Sequence, residues 1–359
     1  MTYPIDPESD SRRVDSSRAA ASLPEAAELA RDFLLDHPAD GACIHIGGSG
    51  EHAGRLVAPL PCVVAIGAFD GVHRGHRDLL ARACRDAEER GLAAVAVTFD
   101  PDPDEVVAPH PAPKLTRKAD RLNALAASGP QVAVVPFTRE LAALDHAEFF
   151  EDVLAPQLDI RAVHVGSDFR LGAGGVATLE VIKEWGDRRG ISVVGHELLC
   201  DATGPITATR IRAHVACGDV ASARADLGRR HAVRGVVVRG RGQGTGMGFP
   251  TANILVDGSL QLPADGVYAG FALVDGCVWP AAINAGIPPM FADSVTSARL
   301  EANLIGFTGD LYGKTVGIAF DERLRPSQSF ASIQELIDVV NADISTVRSR
   351  FGDTPVRLS

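Results

Sequence analysis

Paired cysteines, a basic surplus, a long apolar run and a leader-like start are all missing from this 359-residue chain. The six cysteines (Cys43, Cys62, Cys84, Cys200, Cys217, Cys277) are scattered, with no CxxC spacing and no histidine cluster beside them, which argues against disulfides and structural zinc alike. Lys and Arg together number 35 against 46 Asp and Glu, a net charge of -11. That balance argues against nucleic acid bound through a basic face, and leaves room for a small anion in a local pocket. Nowhere do 18 apolar residues run together, and the start, Met1 to Arg18, is rich in Asp, Ser and Arg with no apolar h-region. A cytoplasmic protein without a membrane partner is expected; self-association is left open.

Hydrophobic residues make up 46% of the chain, and its length suggests two cores. The expected division is an N-terminal extension over 1–60, partly disordered in its first 20 or so residues, then domains over 61–228 and 229–359. In the extension, Pro24–Leu35 could form a short amphipathic helix, and Ile44–Gly48 a small strand and turn; His45 and His52 read as surface residues. The first domain is organised around Ile66-Gly67-Ala68-Phe69-Asp70-Gly71-Val72-His73-Arg74-Gly75-His76. A β-branched run, Val63–Ile66, leads into it, and helically spaced Leu79, Leu80, Ala83 and Ala87 lead out. Such a strand–turn–helix junction offers backbone N–H groups, a positive helix end and close approach at glycine, all suited to a phosphate. The pattern then alternates. Strands are predicted at Ala93–Phe99, Gln131–Pro136, Ala162–Val165 and Ser192–His196, with helices at Arg117–Ala127, His146–Leu158 and Leu179–Arg189, implying a doubly wound parallel sheet. Ligands gather at strand carboxyl ends in such sheets. Those ends carry the opening motif, Thr98-Phe99-Asp100-Pro101-Asp102-Pro103 and Gly166-Ser167-Asp168-Phe169-Arg170, while Ile206–Arg212 starts a helix predicted to reach about Leu227.

Past Arg230 the texture becomes all-β. His231–Val238 is followed by Arg239-Gly240-Arg241-Gly242-Gln243-Gly244-Thr245-Gly246-Met247-Gly248, either a phosphate-covering loop or a long hairpin loop. Short strands at Gly266–Val274, Cys277–Asn284, Ala298–Ile305 and Thr315–Phe320 predict an antiparallel barrel or sandwich, closed by a helix over Ser332–Arg350 with a Ser332/Glu335 capping box. Glu301 is either an outward strand position or, facing inward toward the glycine loop, a candidate base.

Taken together, these motifs resemble the bacterial bifunctional riboflavin kinase/FMN adenylyltransferase family over about residues 60–352. His73-Arg74-Gly75-His76 is similar to the nucleotidylyltransferase histidine pair, and Gly248–Asn253, reading GFPTAN, to the flavokinase signature; Gly309–Gly313 and Leu324-Arg325 follow in order. The resemblance implies a Rossmann-like nucleotidylyltransferase domain plus a kinase-like β-barrel, with riboflavin, FMN and ATP as substrates and Mg²⁺ as cofactor. It implies that His73, His76 and Arg210 act in catalysis, with Thr209 and Arg210 gripping pyrophosphate. Gly67, Phe69, Asp70, Gly71, Gly75, Gly242, Gly244, Gly248 and Thr251 would bind ATP. Asp168, Phe169, Arg170, Phe291 and Arg325 would lie against flavin or nucleotide, Thr251 and Asn253 would hold Mg²⁺, and Glu301 would take the riboflavin hydroxyl proton. The chain departs from the family pattern at Ala68 (Asn in the family), Asp102 (His), Ala208 (Ser), Pro288 and Met290 (Arg and Thr), Asn303 (His) and Gly306 (Asp). Asp102 would repel phosphate unless Mg²⁺ or an outward rotamer relieves it. A specialised paralogue with one activity or another flavin, and a non-catalytic flavin- or nucleotide-binding regulator, are the alternatives.

Overall fold

A computed structural model describes residues 23–34, 43–46, 58–239, 249–286 and 300–358. The first sheet is wholly parallel and has six strands: β1 (Cys43–His45), β2 (Leu60–Ile66), β3 (Ala93–Asp100), β4 (Gln131–Pro136), β5 (Leu158–Gly166) and β6 (Ser192–His196), in the order β1-β4-β3-β2-β5-β6. Covered on both faces, the central strands can be uninterrupted apolar runs, and Cys62 to Ile66 is buried throughout. Helices Arg74–Arg90 and Lys118–Ala127 close one face over Leu80, Ala83 and Leu125, while Leu179–Arg189 and the turn Phe149–Leu154 close the other over Phe150 and Trp185. The strand order reverses between β2 and β5, so a crevice opens at their carboxyl ends.

Three elements differ from expectation. The helix begun at His146 stops at Leu154, because Leu158 already belongs to β5. The helix expected from Ile206 to Leu227 is two, Ala208–Cys217 and Val220–Leu227, broken where Gly218 takes φ 83 and Asp219 caps the second by accepting from the Ser222 N–H. Before them Cys200–Asp201 (β7) and Gly204–Pro205 (β8) form a small hairpin.

The second unit comprises β9 (His231–Val238), β10 (Ala252–Val256), β11 (Gly266–Val274), β12 (Cys277–Ala285), β13 (Leu300–Leu304) and β14 (Thr315–Pro326). They run β11-β14-β9-β10-β13-β12, and β11 pairs back onto β12, closing a six-stranded antiparallel barrel; β15 (Val356–Arg357) adds to β12. The β11–β12 turn places Asp275 at φ 50 and Gly276 at φ 74, as a two-residue hairpin of this twist needs. Val233, Val237, Ile254, Ile283, Leu300 and Ile318 fill the interior. Outside, the terminal helix Ile333–Phe351, its first turn capped by Ser332 accepting from the Glu335 N–H, lays Ile344, Val347 and Phe351 on Phe271 and Leu273.

The extension is woven into both units. Helix Ala26–Asp32 joins the outer barrel cluster through fully buried Leu29 and Phe33, about 1.5–3 kcal/mol of burial each, while β1 extends the parallel sheet beside β4. Buried Arg230 binds Asp32 at 2.7 Å, Glu28 at 2.8 Å and Asp321 at 2.7 Å. A second seam joins the units: Lys114 N–H donates to Ser259 O at 2.7 Å and Gln261 N–H to Lys114 O at 2.8 Å.

Candidate functional site

The turn after β2 is built by the residues expected to hold phosphate. Phe69, Gly71 and Val72 adopt φ 56, 77 and 39, a conformation that only Gly71 takes without strain. Asp70 secures it. Its carboxylate accepts from Leu115 N at 2.9 Å, Thr116 N at 3.3 Å and Arg212 Nη1 at 2.8 Å, and burial pushes its pKa up against these partners. Asp70 and Gly71 are thus buried, with their polar groups committed to the protein, and do not line the cavity beside them, whereas Phe69 does. Ala68, where the family has Asn, has its carbonyl held by Thr98 Oγ1 at 3.2 Å.

That cavity, about 240 Å³, opens at the crevice between β2 and β5. Gly67, His73, Gly75, His76, Asp168 and Phe169 line it; Thr209, Arg210 and Arg170 do not. Gly75 keeps its place for want of room, since a Cβ there would lie 3.1 Å from His73 and 3.3 Å from Ile206 O. His73 caps helix Arg74–Arg90 by accepting the His76 N–H at Nδ1, and the two rings stack 3.6 Å apart. Burial, reinforced by Arg229, Arg77 and Arg212, pushes His73 down to about 3, and burial with His73 alongside holds His76 well below its usual value. Both rings are therefore neutral, and His73, accepting at Nδ1, carries its hydrogen on Nε2. His76 Nδ1 is buried and, among the described residues, has no hydrogen-bond partner. The lining also includes Thr207 and Ala208 at the N-terminus of the next helix. Neutral N–H donors sharing a cavity with a helix start suit an oxyanion.

Arg210 is engaged elsewhere: it binds Asp201, Asp226 at 2.8 Å and Gly204 O at 3.0 Å, tying the helix to hairpin β7–β8. Thr209 is exposed and accepts from Arg212. Thr207 and Arg212 are the residues that sequence reasoning passed over. Thr207 could have been found as the N-cap, accepting from Arg210 N–H at 3.1 Å. Arg212 had no local signal, because Asp70 lies 142 positions away. Asp102 is corrected outright as a liability. It is 4% exposed, paired with Arg121 and with Lys114 at 3.2 Å, and its N–H is held by Glu105 Oε2 at 2.8 Å, so its charge is answered inside the protein.

On the barrel, Asn253 stands directly across from Glu301, and Glu301 directly across from Asn284. Leu300, Ala302 and Leu304 alternate with Glu301 and fill the interior, so these three polar residues share the outer face. Glu301 faces outward from the barrel core and is half-buried; because Asn253 shares that face, the outward position keeps Glu301 beside the GFPTAN strand, and the expected link between facing inward and acting as a base does not hold. Asn303 Nδ2 donates to Pro250 O at 2.8 Å, drawing the segment that bears Thr251 onto β13. Arg325 is engaged by Asp343 at 2.8 Å on the terminal helix and packs over Phe330. Gly242, Gly244, Gly248, Pro288, Met290 and Phe291 lie outside the described residues. Among the described residues no three His, Cys, Asp or Glu side chains converge to hold a metal. The oxygens of Thr251, Asn253 and Glu301 are nonetheless hard donors of the kind Mg²⁺ accepts when phosphates supply the rest of its shell.

Comparison with known proteins decides the family. A family described as FAD synthetase matches residues 57–210, and one described as riboflavin kinase matches 227–351. The bifunctional riboflavin kinase/FMN adenylyltransferase of Escherichia coli K12 is 36% identical over 296 residues, covering 82% of this chain and 94% of its own. The chain belongs to the bifunctional riboflavin kinase/FMN adenylyltransferase family. The Pseudomonas fluorescens protein of the same description is 34% identical, covering 80% of this chain and 92% of its own. A crystal structure titled macrolide-efflux protein from Streptococcus pneumoniae superposes with TM-score 0.75 at 28% identity, covering 86% of this chain and 99% of that one. Among the described residues no helix is long and apolar enough to cross a membrane.

Proposed function

We propose that the protein converts riboflavin to FMN on the barrel and FMN to FAD at the crevice of the parallel sheet, using ATP in both steps. The observation that carries this reading is the pair of neutral, stacked imidazoles, His73 and His76, sharing with a helix N-terminus the lining of a cavity at the strand-order reversal. In the adenylyl transfer, an FMN phosphate oxygen attacks the α-phosphorus of ATP, the bond to the bridging oxygen breaks, and pyrophosphate leaves. The attacking phosphate is already ionised near neutrality, so no base is needed. Catalysis reduces to holding two anions in line and donating hydrogen bonds as charge builds on the α-phosphate. His73 Nε2–H supplies such a bond, and the Thr207–Ala208 helix start offers backbone N–H groups to the leaving group. Arg212 adds a fixed positive charge nearby, and Arg210 serves by anchoring the helix.

On the barrel, the riboflavin 5′-hydroxyl oxygen attacks the γ-phosphorus, ADP departs, and Glu301 takes the hydroxyl proton. Thr251 and Asn253 are the residues that would hold Mg²⁺, which when bound supplies charge neutralisation between adjacent phosphates. Purified protein given riboflavin, ATP and Mg²⁺ should yield FMN and then FAD on chromatography. FMN accumulating without FAD would overturn the assignment of the parallel-sheet site, and FAD arising only from supplied FMN would overturn that of the barrel.

A further inference from the structure

A line of three hydrogen-bonded side chains runs from the helix covering the parallel sheet to the wall of the crevice cavity, and the chemistry above makes no use of it. Asp86 Oδ1 is fixed by Arg90 Nε at 2.8 Å, and Asp86 Oδ2 lies 3.0 Å from His164 Nε2. His164 Nδ1 lies 2.9 Å from His196 Nε2, with the rings stacked 5.0 Å apart. His164 is 4% exposed, whereas His196 ends β6 and lines the cavity. Partial burial opposes ionisation of Asp86, but hydrogen bonds from Arg90 and His164 outweigh it and hold the carboxyl below its usual range. Burial, helped by His164 and Arg82, holds His196 below the usual imidazole value.

With one hydrogen on each ring, a single arrangement satisfies the line. A carboxylate only accepts, so His164 Nε2 carries the hydrogen and its Nδ1 is a lone pair; His196 Nε2 must then donate to it. His196 Nδ1 is left as a lone pair, and among the described residues it has no hydrogen-bond partner. The line therefore fixes a single hydrogen-bond acceptor on the cavity wall. Its position fits a nucleobase. Asp78 and Arg82 are the helix charges that act on His196, and they lie two and six residues beyond His76, about 3–9 Å along the helix axis. The neighbouring wall is largely apolar, with Leu79, Leu198, Leu199 and Ile206 offering faces to a flat ring. Gly166, where a Cβ would meet Asp168 Oδ1 at 2.9 Å, leaves the backbone open to it.

We propose that His196 selects the nucleobase at the adenylylation site by accepting a hydrogen bond from the exocyclic amino group of adenine, with His164 and Asp86 as the positioning residues that set its tautomer. The inference rests on the reading of this cavity as the ATP site. Hypoxanthine or guanine would bring a carbonyl oxygen, with its own lone pairs, to the same acceptor, and a buried polar mismatch is what makes such discrimination effective.

The test supplies FMN with ATP or ITP to the full-length protein and compares kcat/KM for dinucleotide formation. Wild type should prefer ATP by about 10- to 100-fold or more. His196→Phe and His164→Phe should each shrink that ratio by about 10-fold or more while leaving KM for FMN within about 3-fold. His196→Gln, which restores a carbonyl acceptor, should recover much of the preference. A merely structural role predicts lower rates with both nucleotides and no recovery by Gln; far-ultraviolet circular dichroism and the melting temperature report that each variant is folded. A wild type indifferent to the base, or His196→Phe with the wild-type ratio, would overturn the proposal. Failure of wild type to form FAD from FMN and ATP would instead overturn the reading of the cavity, and this proposal with it.

Discussion

Replacing Asp102 by the histidine that the family carries tests whether this departure is a defect or a compensated exchange. In the structure Asp102 is 4% exposed and shares its carboxylate between Arg121, also 4% exposed, and Lys114. Arg121 Nη2 also donates to Phe99 O at 2.8 Å, so the guanidinium is fixed beneath the end of β3 and cannot swing into solvent. Asp102→Met, or Asp102→His with a neutral ring, strands that buried cation, a change that costs about 3–5 kcal/mol. At about 2–4 °C per kcal/mol for a domain of this size, the melting temperature should fall by roughly 6–20 °C. Far-ultraviolet circular dichroism against temperature reads the fall, and a paired Asp102→His/Arg121→Met protein should recover much of it. FAD formation at a permissive temperature should not rise. An Asp102→His protein with unchanged melting and faster FAD synthesis would refute the account, since it would mean that the carboxylate faces ATP rather than Arg121.

Glu301→Gln should lower FMN formation by about 100-fold or more while conversion of supplied FMN to FAD stays nearly intact; equal loss of both, read by chromatography, would remove Glu301 from its role. Arg210→Met leaves Asp226, 2% exposed, without its cation and should lower stability by about 3 kcal/mol in urea. Arg212→Met should instead slow FAD formation by about 100-fold, and the reverse pattern would return the phosphate role to Arg210. His231, buried and hydrogen-bonded to Gln261 O at 2.8 Å, is pushed down to about 4 by burial. The unfolded chain takes up this proton below about pH 6.5 and the native protein does not. Stability should thus fall with pH through that window, by about 2 kcal/mol from this group at pH 5; His73, pushed down to about 3, acts in the same sense. Urea midpoints at pH 7.5 and 5.0 should show a smaller drop for His231→Phe than for wild type, and an equal drop would remove His231 as a source.

The parallel sheet was legible because its strands are buried on both faces. Ser192–His196 and Gln131–Pro136 have the bounds that their apolar runs predict, and so does helix Leu179–Arg189, whose αL cap Gly190 follows it. Local chemistry marked these ends. What escaped were partnerships set at long range. Nothing within a few residues of Asp102 indicates Arg121, and nothing around Ile206–Arg212 says that Asp201 and Asp226 will take Arg210 and leave Arg212 to the turn at Asp70. The break at Cys217-Gly218-Asp219 carries a local signal, a C-cap glycine followed by an N-cap aspartate, that the single helix expected to reach Leu227 did not take into account. For Glu301 the strand period was clear, but which face meets the core depends on barrel closure through β11 and β12, which a linear pattern does not reveal.

Helix Ala26–Asp32 and strand β1 follow each other in the chain and belong to opposite halves of the molecule. The helix seals the barrel that is made last, and the strand edges the sheet that is made first. A polypeptide emerging residue by residue must therefore leave Leu29 and Phe33 without their seat until the region around Phe271 and Phe351 has appeared, some 240 positions later by the separation of Leu29 and Phe271. The two halves are consequently not interchangeable modules. Severing the chain near residue 229 would leave the first fragment with a greasy helix it cannot bury and the second with an uncovered flank. Exchange of either half with a relative's would have to carry residues 23–34 along with the barrel.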